Sequence, residues 1–572
     1  MDIKSIQRDW LNIAEEDLKN ELIAMTLKEI NDAFYDNLKF GTGGLRGIMG
    51  VGTNRMNIYT VGKATQGLID YLKRQNEAPT VAIAYDSRIK SELFAKTAAG
   101  VIAANGGTVH IFSELMPTPI LSYAVRELKC DAGIVITASH NPAQYNGYKV
   151  YGSDGGQMTL GMADAVQSCI ETVDIFRDVK KDAFEAAVQK EKAHFISDTL
   201  VEKYFDQVLR CSINPEILQE TDLKVIYTPL NGTGKKPVRK ILARAGLKSL
   251  TLVPEQENPD GFFRTCQKPN PEESAAFELA LGIAEKTQAD LLLATDPDCD
   301  RVGVAVKYGH SYRLLTGNET GCLLLNYMLS QKTAKHTLPE NPVIIKTIVT
   351  SAMADCLAGE YGARVINTLT GFKYIGEQIG RLEQDHMEGS YVFGFEESCG
   401  YLPETFVRDK DAVSASLLIC EMAAFYKKEH STLLKELETL YRKHGYWKQK
   451  LLSFSFEGAD GMRKMETVMH YFRQGYFADF GGFALIKTDD YLNASTVNQD
   501  THKMDSLLLP KSDVLLFSLE KNCEIVLRPS GTEPKFKCYL TVKSNDSYGA
   551  IQMMEALECD LVRKIKISEG CG

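Results

Sequence analysis

At 572 residues the chain is too long for a single hydrophobic core and should divide into several domains. Its hydrophobic (44%) and charged (24%) fractions are those of an ordinary globular protein; no apolar run reaches membrane-spanning length, and the start Met1-Asp2-Ile3-Lys4 does not read as a signal peptide. A net charge of −10 argues against general nucleic-acid binding, and 13 scattered cysteines without a Cys-x-x-Cys pair argue for a reducing, cytoplasmic setting.

In chain order, the first forty residues read as amphipathic helix, with Leu11, Leu18, Leu22 and Met25 roughly on one face. Short β-branched runs follow: Val81–Tyr85, Gly133–Thr137, Lys224–Thr228, Ala289–Ala294, Val343–Ile348 and Tyr391–Phe395 read as buried strands. Ser91–Ala104 and Phe277–Lys286 between them have helical periodicity. Such alternation implies an α/β fold, with parallel or mixed sheets covered by helices. Cys523–Leu527 and Phe536–Val542, followed by a helix over Tyr548–Lys566, suggest a C-terminal α+β domain with an antiparallel sheet. Boundaries are expected near 205, 315 and 450, giving domains 1–205, 206–315, 316–450 and 451–572.

Three of the strands run into polar, ligand-like loops. Ala289–Ala294 enters Thr295-Asp296-Pro297-Asp298-Cys299-Asp300-Arg301, whose three carboxylates at i, i+2 and i+4 can converge on one divalent ion. An EF-hand would need Gly and Glu where Arg301 and Lys307 stand, so the loop suits Mg²⁺ bound together with a phosphate. Gly133–Thr137 enters Ala138-Ser139-His140-Asn141-Pro142. Read alone, that turn could be only a capped turn. Beside a metal loop, Ser139 becomes a nucleophile for phosphoryl groups and the metal's fourth oxygen donor, with Thr137, His140 and Asn141 supplying hydrogen bonds. Lys149, further along, is a general-base candidate whose pKa the neighbouring cations would lower. Tyr391–Phe395 enters Glu396-Glu397-Ser398, where Glu396 and Ser398 suit sugar hydroxyls. Thr370-Gly371-Phe372-Lys373 is a turn that could select the sugar face or be merely structural. Arg528-Pro529-Ser530-Gly531-Thr532-Glu533-Pro534-Lys535 has the composition of a phosphate cradle: a guanidinium fork, two hydroxyls and a backbone opened by Gly531. Asn231-Gly232-Thr233-Gly234-Lys235-Lys236 lacks P-loop spacing and does not indicate an ATPase.

With these loops in order, the chain resembles the α-D-phosphohexomutase superfamily, specifically its bacterial phosphoglucomutase/phosphomannomutase branch. Phe40–Gly47 and Tyr85-Asp86-Ser87-Arg88 are two further family-like pieces. The resemblance implies four domains around a central cleft, three of related α/β topology and a smaller fourth. It implies a phosphoserine at Ser139, Mg²⁺ held by Asp296, Asp298 and Asp300, and Arg46 and Arg301 stabilising the transferring phosphoryl group. Lys149 would be general base, Glu396 and Ser398 would bind sugar hydroxyls, and Arg528, Ser530, Gly531 and Thr532, with Lys535 beside them, would bind the distal phosphate. The implied reaction is exchange between hexose 1-phosphate and 6-phosphate through a bound 1,6-bisphosphate, glucose being the expected sugar and mannose the next. A glucose-1,6-bisphosphate synthase or a phosphopentomutase could use the same residues; a non-enzymatic sugar-phosphate sensor would need no nucleophile. The expected partner is a small sugar phosphate, with no nucleic acid and no membrane, and the expected assembly a monomer or weak homodimer. Two departures stand out. Cys399-Gly400-Tyr401 occupies the stretch where some members carry a His acid/base, and Lys537 replaces a frequent arginine, keeping the charge but losing the fork.

Overall fold

The computed structural model describes residues 3–41, 43–456, 461–499, 501, 503–529 and 535–569. The chain forms two compact units, Met1–Ile345 with Gly371–Thr432, and Lys346–Thr370 with Leu433–Gly572.

The N-terminal segment, expected to be amphipathic helix, is helical but broken. It forms three helices, Ile3–Ile13, Glu16–Ala24 and Leu27–Phe34. The reason is Trp10, which is fully buried and meets Phe34 edge-on at 5.8 Å. In one continuous helix those residues would stand about 36 Å apart. Thr26 starts the third helix through a capping box with Glu29, so the break is written locally as well. Tyr59 and Phe176 close the ring around Trp10, at 5.3 and 5.4 Å.

The first unit then builds a six-stranded mixed sheet, in the order Gly44–Ile48, Tyr145–Gly152, Ala132–Ile136, Thr80–Tyr85, Thr108–Ile111, Ala193–Phe195. The last four strands are parallel and the first two antiparallel. Helices Ile58–Leu72 and Ser91–Ala104 bury Val61, Leu68, Phe94, Ala98 and Ile102 in one core with Val81, Ile83 and Ile134 of the sheet. A five-stranded sheet follows, in the order Ser311–Leu315, Val302–Tyr308, Leu291–Thr295, Lys224–Thr228, Ser249–Leu252. Its metal-loop strand starts at Leu291, two residues later than the apolar run. Asp290 instead accepts the Lys224 N–H at 2.9 Å and the Lys427 ammonium at 2.9 Å. Tyr391–Glu396 forms a hairpin with Gly400–Leu402.

The second unit carries an eight-stranded antiparallel sheet. Along Cys523–Pro529, residues Cys523, Ile525 and Leu527 point into a core shared with Val468, Met469, Phe472, Leu557 and Leu561. That period-two burial is what lets helices Gly461–Gln474 and Ser547–Glu569 cover one face. Among the described residues, no helix is long and apolar enough to cross a membrane.

Candidate active site

Lys149 lies on the strand Tyr145–Gly152 rather than on a continuation of the serine loop. That strand pairs antiparallel with Ala132–Ile136, so the chain leaves the sheet at Ile136, turns through Ser139 and returns beside itself. Ser139 is 3% exposed and has φ +50°, a left-handed conformation that costs a non-glycine residue roughly 1–2 kcal/mol. Among the contacts that hold it there, its N–H donates to Thr137 Oγ1 at 2.8 Å and its hydroxyl donates to Asp296 Oδ2 at 2.7 Å. Thr137 donates in turn to Asp86 Oδ2 at 2.6 Å. The Nδ1 of His140 lies 3.3 Å from Ser139 Oγ.

The Asp loop meets this turn from the second sheet. Asp296 Oδ1 accepts the N–H groups of Asp300 and Arg301, both at 3.1 Å, which folds the loop so that its carboxylates face inward. One oxygen from each of Asp296, Asp298 and Asp300 lies within 4.8 Å of the others, and all three residues are buried. The loop's underside is braced by the P-loop-like run: Thr233 N–H donates to Pro297 O at 2.8 Å, and a Cβ on Gly232 would come within 2.4 Å of Pro297 Cα. The run is scaffold for the Asp loop.

The electrostatics are those of crowded acids. Burial, and then the charges of Asp298 and Asp300, push Asp296 well above the ordinary carboxylate range. Burial and then Asp298 raise Asp300 as well. Burial would also raise Asp298, but Lys149 and the hydrogen bonds it receives carry it far below. The Oδ1 atoms of Asp298 and Asp300 are buried with no hydrogen-bond partner, which is the arrangement that a hard cation relieves and an unfilled polar cluster does not tolerate cheaply. Three carboxylates with the Ser139 hydroxyl beside them, all oxygen donors, fit a hard divalent cation.

Two ammonium groups flank the cluster. Lys149 Nζ lies 2.8 Å from Asp298 and 3.5 Å from Asp300. Contrary to the lowering expected from neighbouring cations, its pKa is raised: burial lowers it, but the pull of Asp298 and Asp300 prevails. Lys410, which sequence reasoning missed, lies 3.3 Å from Asp300, 3.1 Å from Asp409 and 3.9 Å from Glu396. Asp409 also accepts Tyr151 OH at 2.8 Å and Gln157 Nε2 at 2.7 Å, tying Lys410 to the strand that carries Lys149. The signal available was the charged run Arg408–Asp411 entering an apolar helix, Ala412–Lys428. Thr118 was missed too; its hydroxyl donates to Asp298 Oδ2 at 2.9 Å.

Arg301 donates to Glu272 at 3.0 Å and to the Ser398 carbonyl at 3.2 Å, while its Nε lies 3.7 Å from Asp300. It thereby joins the Asp loop to the Glu396 loop, where Ser398 Oγ donates to Glu396 Oε1 at 3.1 Å. Arg46 stands on strand Gly44–Ile48 opposite Gly147, half-buried. Gly371, at φ +121°, precedes the helix Phe372–Gln384; Lys373 in its first turn lies 5.0 Å above the Tyr374 ring, and Thr370 Oγ1 is buried. In the second unit, Arg528 is the penultimate residue of the strand Cys523–Pro529, opposite Lys537, and Lys535 starts the partner strand Lys535–Ser544. Ser530, Gly531 and Thr532 lie outside the described residues, as does Thr42 of the Phe40–Gly47 run.

Comparison with known proteins places this geometry in a family. Residues 37–175, 202–309 and 316–441 match the phosphoglucomutase/phosphomannomutase alpha/beta/alpha domains I, II and III. The chain is 37% identical over 551 residues to a phosphoglucomutase of Staphylococcus saprophyticus, covering 96% of this chain and 98% of that one. It is 36% identical over 531 residues to a phosphoglucomutase of Staphylococcus aureus, covering 92% and 94%. The fold is also that of parafusin, a phosphoglucomutase of Paramecium solved in its open form (TM-score 0.66, 17% identity, 94% of this chain and 95% of that one). Four domains with mixed sheets, three of them α/β/α and the last β-rich, are therefore the architecture here, and the chain belongs to the phosphoglucomutase/phosphomannomutase family within the α-D-phosphohexomutases.

Proposed function

We propose that the protein is an intramolecular phosphotransferase interconverting α-D-glucose 1-phosphate and glucose 6-phosphate, with mannose phosphates as the next substrates. The observation that carries the reading is the Ser139 hydroxyl directed at Asp296 within the buried three-carboxylate cluster. Phosphorylated Ser139 gives its phosphoryl group to the free hydroxyl of a hexose monophosphate: the Ser139 Oγ–P bond breaks as the sugar O–P bond forms. The 1,6-bisphosphate turns over within the site, and Ser139 Oγ takes the other phosphoryl group back.

Asp296, Asp298, Asp300 and Ser139 would hold Mg²⁺, which when bound polarises the phosphoryl group. Lys149 and Lys410 flank Asp300; with the charge of Asp298 and Asp300 neutralised by the bound cation, Lys149 would shed its proton and in its amine form take the sugar proton in one transfer, while Lys410 would serve the other. His140 orients the Ser139 hydroxyl, and Arg46 and Arg301 face the charge on the transferring group. Glu396 and Ser398 accept and donate to sugar hydroxyls, Thr370, Gly371 and Lys373 select the sugar face, and Arg528, Ser530, Gly531, Thr532 and Lys535 hold the phosphate that is not reacting. Domain boundaries near 205, 315 and 450 are part of this reading, which the matched stretches 37–175, 202–309 and 316–441 support. A cytoplasmic monomer or weak homodimer completes the reading.

Coupled detection of glucose 6-phosphate from glucose 1-phosphate, with and without added glucose 1,6-bisphosphate, tests the proposal. Exchange stimulated by catalytic bisphosphate and absent in Ser139→Ala supports it. Full exchange in Ser139→Ala overturns it, and net stoichiometric release of bisphosphate would make the enzyme a synthase instead.

A further inference from the structure

Arg88 is 3% exposed, and the reaction just described gives it no role. It lies two residues beyond Asp86, whose carboxylate holds Thr137 and the Ser91 hydroxyl, the latter at 2.8 Å. Both terminal nitrogens of its guanidinium face one turn of chain. Nη2 donates to the carbonyls of Ser139 and Asn141, and Nη1 to those of Pro142 at 3.0 Å and Tyr145 at 3.1 Å. Nε lies 3.3 Å from Asp86 Oδ2. Residues 139–145 thus wrap around a single guanidinium, which supplies hydrogen bonds that neither helix nor strand provides there.

The other side of the guanidinium is covered by the second sheet's domain. Arg88 Cζ lies 4.9 Å from the centroid of the Phe263 ring, and Phe263 is fully buried. The loop bearing Phe263 fits against the arginine's own backbone so closely that a Cβ on Gly261 would come within 2.6 Å of Ile89 N and 2.8 Å of Ser87 O. The domain that carries the Asp loop therefore also props the residue that fixes the serine turn.

We propose that Arg88, braced by Phe263, is the positioning residue that holds Ser139 in its left-handed conformation and sets its Oγ against Asp296. The inference rests on the reading of Ser139 as phosphoryl carrier. Lysine cannot substitute: one ammonium presents three donors from a point, where the turn needs four in a plane. A displacement of the nucleophile by about 1 Å is worth roughly 100-fold in rate.

The test compares Arg88→Lys, Phe263→Leu and Ser139→Ala with wild type, reading kcat and KM for glucose 1-phosphate and Mg²⁺ affinity by calorimetry. The Arg88→Lys variant is expected to lose about 100-fold in kcat with KM and Mg²⁺ affinity close to wild type. Phe263→Leu, which removes the ring but keeps an apolar side chain and the guanidinium, is expected to show a smaller loss of the same kind. Guanidinium ion added to Arg88→Ala is expected to restore part of kcat. Wild-type kcat in both Arg88→Lys and Phe263→Leu, with Ser139→Ala inactive, overturns the positioning role while leaving the serine intact. Losses confined to KM or to thermal stability also overturn it. Full activity in Ser139→Ala would remove the reading on which it rests.

Discussion

Three carboxylates facing one point cannot all ionise at ordinary pH without a counter-charge, and the side chains around them are arranged to supply it. Thr118 is the outer partner of Asp298, and outer partners of metal ligands are typically worth 10- to 100-fold in affinity. Thr118→Val should weaken Mg²⁺ binding by about tenfold, read by calorimetry, while Asp298→Asn should abolish it. Removing Lys410 leaves Asp300 with Lys149 at 3.5 Å and Arg301 at 3.7 Å. Lys410→Met should lower kcat by roughly 100-fold or more yet still accept a phosphoryl group at Ser139 from bisphosphate, because Lys149 is untouched; loss of phosphorylation would assign Lys410 to both transfers. The Asp triad was legible from spacing alone, since i, i+2, i+4 needs only a local turn. Lys410, Arg88 and Thr118 were not legible as site residues, because each acts on a residue 50 to 180 positions away.

Elements are joined by buried polar hubs, and Glu421 is the clearest. Within the apolar helix Ala412–Lys428 it is fully buried, accepting the N–H groups of Ile213 at 2.9 Å and Asn214 at 2.8 Å, Tyr327 OH at 2.8 Å, and the Ser212 hydroxyl. Glu421→Leu strands those donors and should destabilise the first urea transition by about 3 kcal/mol, with Glu421→Gln milder. The strand Ala193–Phe195 offers a second case. His194 stands opposite His110 in parallel register, with rings 5.8 Å apart. Burial, and then the charge of His194, lower the His110 pKa. A depressed imidazole is neutral in both states above its unfolded value, about 6.5. Below that the unfolded chain takes up the proton first, so stability falls as pH drops toward the folded value. Melting temperatures measured at pH 7.5 and 5.5 should therefore differ less in His110→Gln than in wild type. At this scale the six strands expected from apolar runs are present within two residues. The N-terminal stretch is helical as its periodicity implies, but its division into three helices comes from the long-range pairing of Trp10 with Phe34 together with the Thr26 capping box.

Over the whole chain, Ser139 and the Asp loop belong to one compact unit and Arg528 and Lys535 to the other. On the function proposed above, chemistry falls to the first and phosphate grip to the second. Losing one charge-assisted pair costs about 1.5–3 kcal/mol, so Arg528→Ala should raise KM for glucose 1-phosphate by roughly 10- to 100-fold while leaving Mg²⁺ affinity unchanged. The four-domain order was legible because each domain carries its own loop signature. The interleaving of residues 346–370 with the C-terminal unit was not, because it depends on packing between distant segments. The proposed reaction turns on a covalent step at one hydroxyl, and that step can be followed directly. Protein labelled with radioactive phosphate from glucose 1,6-bisphosphate should carry the label on Ser139 alone, by peptide mapping, and should surrender it to unlabelled glucose 1-phosphate at a rate no slower than turnover. Label on another residue, or label on Ser139 that the sugar cannot chase, would contradict a phosphoryl carrier at Ser139.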